Sequence, residues 1–565
     1  MVEILRIRHR GLMDKMLNFG LKWRVKPSFY WIVDVDGKEC ISKGYVGQSG
    51  VYTEWDTFGK ESLVSYYIEQ EQEKSEIEIK IIEITKTGFL GFRKTDTEKE
   101  VISIVYDYRT GRWTGDDYFK DCDGYGHYLG DTFEVWFNIY QSDYDHDDIP
   151  YWIEVNILGT DPTINDKYLD PDDDGIPTAW EWKWGYDPFT WNDHEKLDPD
   201  IDGLENIEEY KIEKWFADPY QPDIYIETDG MQKRGIIDLP HFFYKEAQQM
   251  LIERFAQHGI NVYIDDGWPD GPKNGGGEML PFYKNLDDVY GKQGLSFYNN
   301  NFADERKGIF RYLVIGNKAS GITFTCKYNN FDMMEVGSGI KVNIKPRIAF
   351  TPRAIRVGIA KTVLHELGHT LGLVPTTFPG NDILAPIGAR YPSMPKDVYK
   401  NYLNEYYSVM NYKYIYMDRK LFDYSDGSNG PPYDQNDWSH IYLPTFQIDA
   451  TSYEEPADKT FEDFEVINQY PGVTAKDWKF EENLTKKYLK EFSEIAYVKN
   501  VGCNFSIYIN TKKDGQGYNL RIYGMPKVYP VFAVWSLIAE GYLDSEGKIK
   551  LYSQEDLINE IKRLT

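Results

Sequence analysis

Residues 363–375 read Val-Leu-His-Glu-Leu-Gly-His-Thr-Leu-Gly-Leu-Val-Pro, and the rest of the chain is read outward from them. His365, Glu366 and His369 form the pattern H-E-x-x-H. On a helix, side chains four apart stand on one face. Two imidazoles at that spacing can bind a single zinc ion, with the glutamate beside a bound water. Zinc brings the pKa of such a water toward ~7. Glu366 can then take its proton and pass it to a leaving amine. The chemistry implied is peptide-bond hydrolysis. The preceding run, Arg353 to Leu364, carries apolar residues at helical spacing. Pro352 suits the start of this helix and Gly372 its stop, so both histidines fall late on it. A glutamate between two histidines on so apolar a helix is costly to bury without a task.

Further along comes Tyr407-Ser408-Val409-Met410-Asn411-Tyr412. H-E-x-x-H-x-x-G followed by a Ser-x-Met-x-Tyr turn resembles the metzincin zinc proteases. The resemblance implies that Met410 forms an apolar floor under the metal and that Tyr412 helps stabilise the oxyanion. One position departs from that family, which places a third histidine three residues after the glycine. Here it is Pro375, with no ligand atom in its side chain. Catalytic zinc usually takes three protein ligands and a water. Asp382, in the loop Phe378-Pro379-Gly380-Asn381-Asp382, is the favoured replacement, since a carboxylate can stand in for an imidazole. Asp434, Asp437 and His440 are the other candidates.

A second pattern lies upstream. Asp170-x-Asp172-x-Asp174-Gly175 is followed after five residues by Glu181, and Asp198-x-Asp200-x-Asp202-Gly203 by Glu209. Both match the calcium-loop pattern D-x-D-x-D-G-x5-E. An earlier copy, Asp143-x-Asp145-x-Asp147 with Glu154, has Asp148 in place of the glycine. Alternate carboxylates in a tight loop converge on one hard cation, and the later glutamate is expected to close the shell. Thr163-Ile164-Asn165-Asp166 and Thr190-Trp191-Asn192-Asp193 each precede a Leu-Asp-Pro-Asp run, which makes the copies stacked repeats of about 27 residues. No amphipathic helix precedes the loops, so they are not paired EF-hands. They are similar to thrombospondin type 3 and bacterial calcium repeats, in which ions replace much of a hydrophobic core. Pro150 and Pro177 mark where a short helix starts after a loop.

The chain has 565 residues, 41% of them hydrophobic and 16% aromatic, which indicates several folded domains. Its formal net charge of −28 argues against nucleic acid as a partner, because phosphates would be repelled. No run of 18 apolar residues exists to span a membrane. The segment Met1 to Arg10 is too interrupted by charge for a signal peptide. Cys40, Cys122, Cys326 and Cys503 are too few and too scattered for a disulfide framework. Loops of this kind suit millimolar calcium, which favours action outside the cell or at its surface.

The expected architecture is multidomain α+β. Residues 1–140 are β-rich, with β-branched and aromatic runs at 29–33, 77–82 and 133–137. An antiparallel sandwich, C2-like in outline, fits them. Residues 141–222 hold the calcium repeats. Residues 223–450 would form the metzincin-like protease domain, with strands at 223–228, 260–264 and 310–315 and a helix over 239–258. Residues 451–565 would form an accessory α+β region, with helices at 478–496 and 554–563 around strands at 504–509 and 518–523. The functional expectation is a calcium-stabilised zinc endopeptidase acting on polypeptides. It uses one catalytic zinc on His365, His369 and Asp382, and several structural calcium ions. The alternative is an inactive relative serving as a calcium-dependent surface or adhesion protein.

Overall fold

The computed structural model describes residues 1–17, 29–41, 63–67, 72–87, 93–117, 124–235, 241–267, 275–283, 292–317, 321–323, 333–338, 352–373, 378–383, 396–418 and 420–443, and five strands between 494 and 551. It is a mixed α/β protein with several separate sheets. By internal contacts it divides into two compact units. The first comprises Met1–Asp223, Gln248–Tyr263 and Gly267–Asn274; the second comprises Ile224–Ala247, Ile264–Asp266 and Gly275–Thr565.

The first unit begins with β1 (Val2–His9) and the short helix α1 (Leu12–Leu17). There follow β2 (Phe29–Val35), β3 (Lys38–Ile41), β4 (Leu63–Val64), β5 (Lys74–Thr87), β6 (Arg93–Asp107), β7 (Arg112–Gly115), β8 (Gly126–Leu129) and β9 (Phe133–Ile139). The strands form two antiparallel sheets, ordered β4-β1-β9-β8 and β3-β2-β5-β6-β7. Alternate residues of each point into one shared core: Ile4 and Val135 from one sheet meet Trp31, Val33, Ile79 and Ile102 from the other. The two antiparallel sheets thus share one core.

Three short helices, α2 (Tyr151–Ile153), α3 (Thr178–Lys183) and α4 (Asn206–Lys211), each follow an acidic loop. Pro150 and Pro177 cap the first two, one residue before the helix proper. Small apolar clusters, Ile149 with Ile153 and Ala179, and Ile176 with Trp180 and Trp184, pack behind these turns, and Leu204, Ile212 and Trp215 are buried further along.

The second unit contains the sheet that positions the H-E-x-x-H helix. Its strands are β10 (Asp223–Met231), β12 (Met279–Leu280), β13 (Phe310–Gly316), β14 (Gly321–Thr323) and β15 (Met333–Gly337), with helix α6 (Lys292–Asn301) before β13. Strand β10 pairs in parallel with β12 and β13, and β13 in parallel with β15, while β14 runs antiparallel to β15 at the edge. Strands β10, β13 and β15 are buried along their whole length, as parallel strands covered on both faces are. Helix α5 (Lys245–Ala256) and strand β11 (Asn261–Asp265) are divided between the two units. The sequence extends α5 back to 239, but His241 is bridged to Met231 and the helix opens only at Lys245.

Helix α7 (Pro352–Thr370) starts at the expected proline, contacts β14 and β15, and stops where Gly372 takes φ +90°. Helices α8 (Lys396–Glu405) and α9 (Tyr412–Met417) flank the Met-containing turn. The C-terminal strands β16 (Glu494–Val501), β17 (Phe505–Asp514), β18 (Gly517–Pro526), β19 (Ser536–Leu543) and β20 (Ile549–Leu551) form an antiparallel meander in chain order. The helix expected to reach Ala496 is corrected here. Glu494, Ile495 and Ala496 pair with Lys512, Thr511 and Asn510 of β17, so cross-strand pairing overrides their helical propensity. The rest of that expected helix, and the one at 554–563, lie outside the described residues.

Candidate functional site

Helix α7 presents His365 and His369 on one face, both buried, with Glu366 between them. Nδ1 of His365 is 2.9 Å from the Val409 carbonyl oxygen and Nδ1 of His369 is 2.7 Å from that of Leu373. A carbonyl only accepts, so each Nδ1 carries its proton. Each Nε2 is left with a lone pair aimed the other way, as a metal-ligating histidine requires. The two Nε2 atoms are 3.2 Å apart. Asp382 Oδ1 closes the triangle, 2.9 Å from His365 Nε2 and 3.2 Å from His369 Nε2. Zinc bonds of about 2.1 Å at tetrahedral angles separate donor atoms by about 3.4 Å. The three donors therefore fit one ion of that size, slightly drawn in.

Asp382 reaches this corner because its loop is tied down from several sides. Its backbone takes the left-handed region at φ +56°, which aspartate tolerates better than most residues. Its amide donates to the Met410 carbonyl at 2.8 Å. The Tyr406 hydroxyl lies 2.6 Å from Asn381 Oδ1 and 2.8 Å from both Asp437 oxygens. Asp437 also accepts from Ser408 Oγ at 2.7 Å and from the Ser425 amide at 2.9 Å. One buried carboxylate thus joins the Met turn, the Asp382 loop and the following segment. Burial pushes its carboxyl up to about 6, and those hydrogen bonds hold it back from rising further. Asp434 accepts from Ser425 Oγ at 2.6 Å and from the Asn429 amide at 2.9 Å, and His440 sits against the Asn436 carbonyl at 2.7 Å. Of the four carboxylate and histidine candidates, Asp382 is the one grouped with the histidine pair.

Met410 is fully buried below the helix. A Cβ at Gly368 would come 2.6 Å from its sulfur and 3.0 Å from Tyr424, so this glycine lets the Met turn close up under the histidines. Tyr412 opens α9 and lays its ring along that of His365, centroids 5.2 Å apart and planes 28° apart. Glu366 is buried, and that burial pushes its carboxyl up to about 7. His365 and a hydrogen bond from Thr323 oppose the rise, and Asp382 adds to it. Thr323 Oγ1 lies 2.7 Å from Glu366 Oε2. Thr323 belongs to the edge strand β14, whose Gly321 lies so close that a Cβ there would overlap Glu366 Oε1. No local pattern marks Thr323, Gly321 or Gly368, because all three act through contacts between distant elements. Gly321→Ala is expected to displace Glu366 or β14, because the added methyl would overlap the carboxylate, and so to lower the thermal midpoint, which calorimetry checks.

The three acidic loops in the first unit share one conformation. The first aspartate of each accepts backbone amides ahead of it: Asp143 from His146 and Asp148, Asp170 from Asp174 and Gly175, Asp198 from Asp202 and Gly203. The third accepts the amide two residues on, at 2.8 Å for Asp147, 3.1 Å for Asp174 and 2.8 Å for Asp202. His146, Asp173 and Ile201 all take positive φ, as do Asp148, Gly175 and Gly203 two residues later. Asp148 thus adopts the backbone of the glycines it replaces. The middle aspartates Asp145, Asp172 and Asp200 have buried oxygens with no hydrogen-bond partner. Unsatisfied buried carboxylate oxygens are what a hard cation removed from such a loop would leave, so the loops fit calcium.

The later glutamates are placed differently from the simple loop pattern. Glu154 groups with Asp147 and Asp166, and Glu181 with Asp174 and His194, while Asp143, Asp145 and Asp147 form one further group and Asp170, Asp172 and Asp174 another. Each of these two repeats thus has two neighbouring clusters sharing the third aspartate. Glu209 is likewise buried, and burial with Asp202 and Asp223 nearby raises its carboxyl far above the ordinary range. Asp166 and His194 were missed from sequence. The signal was available, because each stands four residues before the first aspartate of the next loop. Elsewhere in this unit Asp116 accepts from the Ser103 amide, and Asp117 from Trp113 Nε1 and the His127 amide.

Compared with protein-family models, curated proteins and solved structures, the chain matches none of them. Its reading therefore rests on the site itself. Among the described residues, no helix is long and apolar enough to cross a membrane.

Proposed function

We propose that this chain is a zinc-dependent endopeptidase of metzincin type, stabilised by calcium and acting on polypeptides outside the cell or at its surface. The observation that carries the reading is the triangle of His365 Nε2, His369 Nε2 and Asp382 Oδ1, with both histidines locked in the ligating tautomer by backbone carbonyls. In this reading residues 223–450 form the protease domain, residues 141–222 the calcium repeats that brace the N-terminal sandwich, and residues 451–565 an accessory region.

Zinc bound to the three donors would supply Lewis acidity and an acidified water. The chain's own residues supply the rest. Glu366, held by Thr323 and desolvated, has a proton affinity matched to neutral pH, which suits a group that accepts a proton and later returns it. Met410 and Gly368 give the histidine pair a rigid apolar floor. Tyr412, stacked on His365, is the residue assigned to oxyanion support. Among the described residues β14 is the outer strand of its sheet, and an extended peptide would lie along it beside Glu366. An inactive relative would need no donor at the third corner, so Asp382 supports the enzyme over that alternative.

Casein digestion with and without a zinc chelator tests the reading: cleavage abolished by chelation and restored by zinc is expected, and no cleavage under either condition overturns it. Asp382→Ala is expected to weaken zinc by at least ~100-fold, measured by chelator competition. Its loss leaves two ligands where catalytic zinc uses three. Asp437→Ala is expected to weaken zinc less, about 10-fold, since it removes only support for the ligand loop.

A further inference from the structure

The second calcium repeat contains a residue that does not suit calcium. Where the first repeat groups Asp147, Glu154 and Asp166, the second groups Asp174, Glu181 and His194, with donor atoms all within 4.8 Å of one another. His194 and Glu181 are fully buried. Calcium is a hard ion that takes oxygen ligands. An imidazole with two carboxylates is a set for a borderline transition ion.

We propose that Asp174, Glu181 and His194 bind a divalent ion of the zinc class, separate from the proposed catalytic centre and unlike the sites of the first repeat.

Three features point to an ion. Both oxygens of Glu181 are buried without a hydrogen-bond partner. His194 Nε2 faces Asp174 Oδ2 at 3.2 Å and Glu181 Oε1 at 3.7 Å. His194 Nε2 is itself buried with no hydrogen-bond partner, so the imidazole satisfies neither carboxylate of the cluster. A metal ion satisfies both carboxylates at once. Finally, Asn206 Nδ2 lies 2.8 Å from His194 Nδ1 and 2.9 Å from the Tyr186 hydroxyl, to which it donates, while its Oδ1 is buried without a partner. Turning the amide over, which exchanges its oxygen and nitrogen in place, would let Asn206 accept from both, put the proton on Nδ1 and free Nε2 as a ligand. Trp180 and Tyr186 set their rings edge-on to the imidazole and exclude water from one side.

The test uses the full chain with His365→Ala and His369→Ala, which removes the other zinc site, so the outcome does not depend on whether the chain is a protease. After stripping with chelator, the protein is dialysed against zinc in millimolar calcium and its metals are counted by mass spectrometry. One zinc per chain is expected. Adding His194→Asp, which recreates the set of the first repeat, is expected to remove that zinc and add one calcium. Glu181→Gln keeps the side chain's shape and is expected to weaken zinc at least ~10-fold; circular dichroism verifies that each variant is folded. No zinc in the starting variant, or an undiminished zinc count after His194→Asp or Glu181→Gln in folded protein, overturns the proposal.

Discussion

Glu366→Gln is expected to leave zinc in place and to reduce peptide hydrolysis by about 100- to 10,000-fold, the usual contribution of general acid–base catalysis. The two atoms of the side chain that matter are separable. Glutamine keeps the shape, and its amide can still take the hydrogen bond from Thr323 that fixes Glu366. It loses the capacity to accept a proton. Glu366 is not among the three grouped ligands, so zinc content measured on the same preparation should be that of the parent. The loss should fall on kcat, with KM little changed, because the group is engaged in the transition state more than in binding. Full activity in the zinc-loaded variant would remove Glu366 from the mechanism, and with it the hydrolytic reading.

Removing calcium is expected to lower the thermal midpoint of the first unit by ~10 °C or more at pH 8, and by much less at pH 5. Each ion held at ~100 times its dissociation constant adds about 2.7 kcal/mol, and a large domain shifts by ~2–4 °C per kcal/mol. The pH dependence follows from the carboxylates. Burial raises Asp147 and Glu154 each to about 7, with neighbouring carboxylates adding to the rise through Asp166 and Asp147. In the unfolded chain such groups release their protons near pH 4. Between about pH 4 and 7 the calcium-free folded state therefore binds more protons than the unfolded state, and its stability falls as pH rises. Calcium replaces those protons, so the loaded protein should not share this decline. Differential scanning calorimetry across that range, with calcium and with chelator, reads both effects. A calcium-free midpoint that rises from pH 5 to pH 8 would contradict the clustered-carboxylate account.

Much of this protein was legible in its sequence because the relevant signals are local. The H-E-x-x-H spacing, the Pro352 start and the Gly372 stop specify α7 within one stretch of chain, and the helix has those limits to within two residues. The acidic loops are equally local: each first aspartate bonds amides three to five residues ahead, so the D-x-D-x-D pattern carries its own turn. The β-branched and aromatic runs at 29–33 and 133–137 likewise specified strands, the first with alternate residues buried and the second buried at every position.

What the sequence could not decide was which distant groups meet. Asp382, Asp434, Asp437 and His440 have ligand chemistry that suits the third corner equally well. Only the backbone bond from Asp382 to Met410, across 28 residues, and the capture of Asp437 by Tyr406, Ser408 and Ser425 set Asp382 beside the histidine pair and keep Asp437 apart from it. The approach of β14 to Glu366, the joining of Glu154 to Asp166 and of Glu181 to His194, and the strand taken by Glu494 to Ala496 have the same origin. Side-chain periodicity and turn chemistry are written along the chain, whereas a binding site is a convergence in space, and its partners are fixed by packing and pairing between segments that carry no mark of one another.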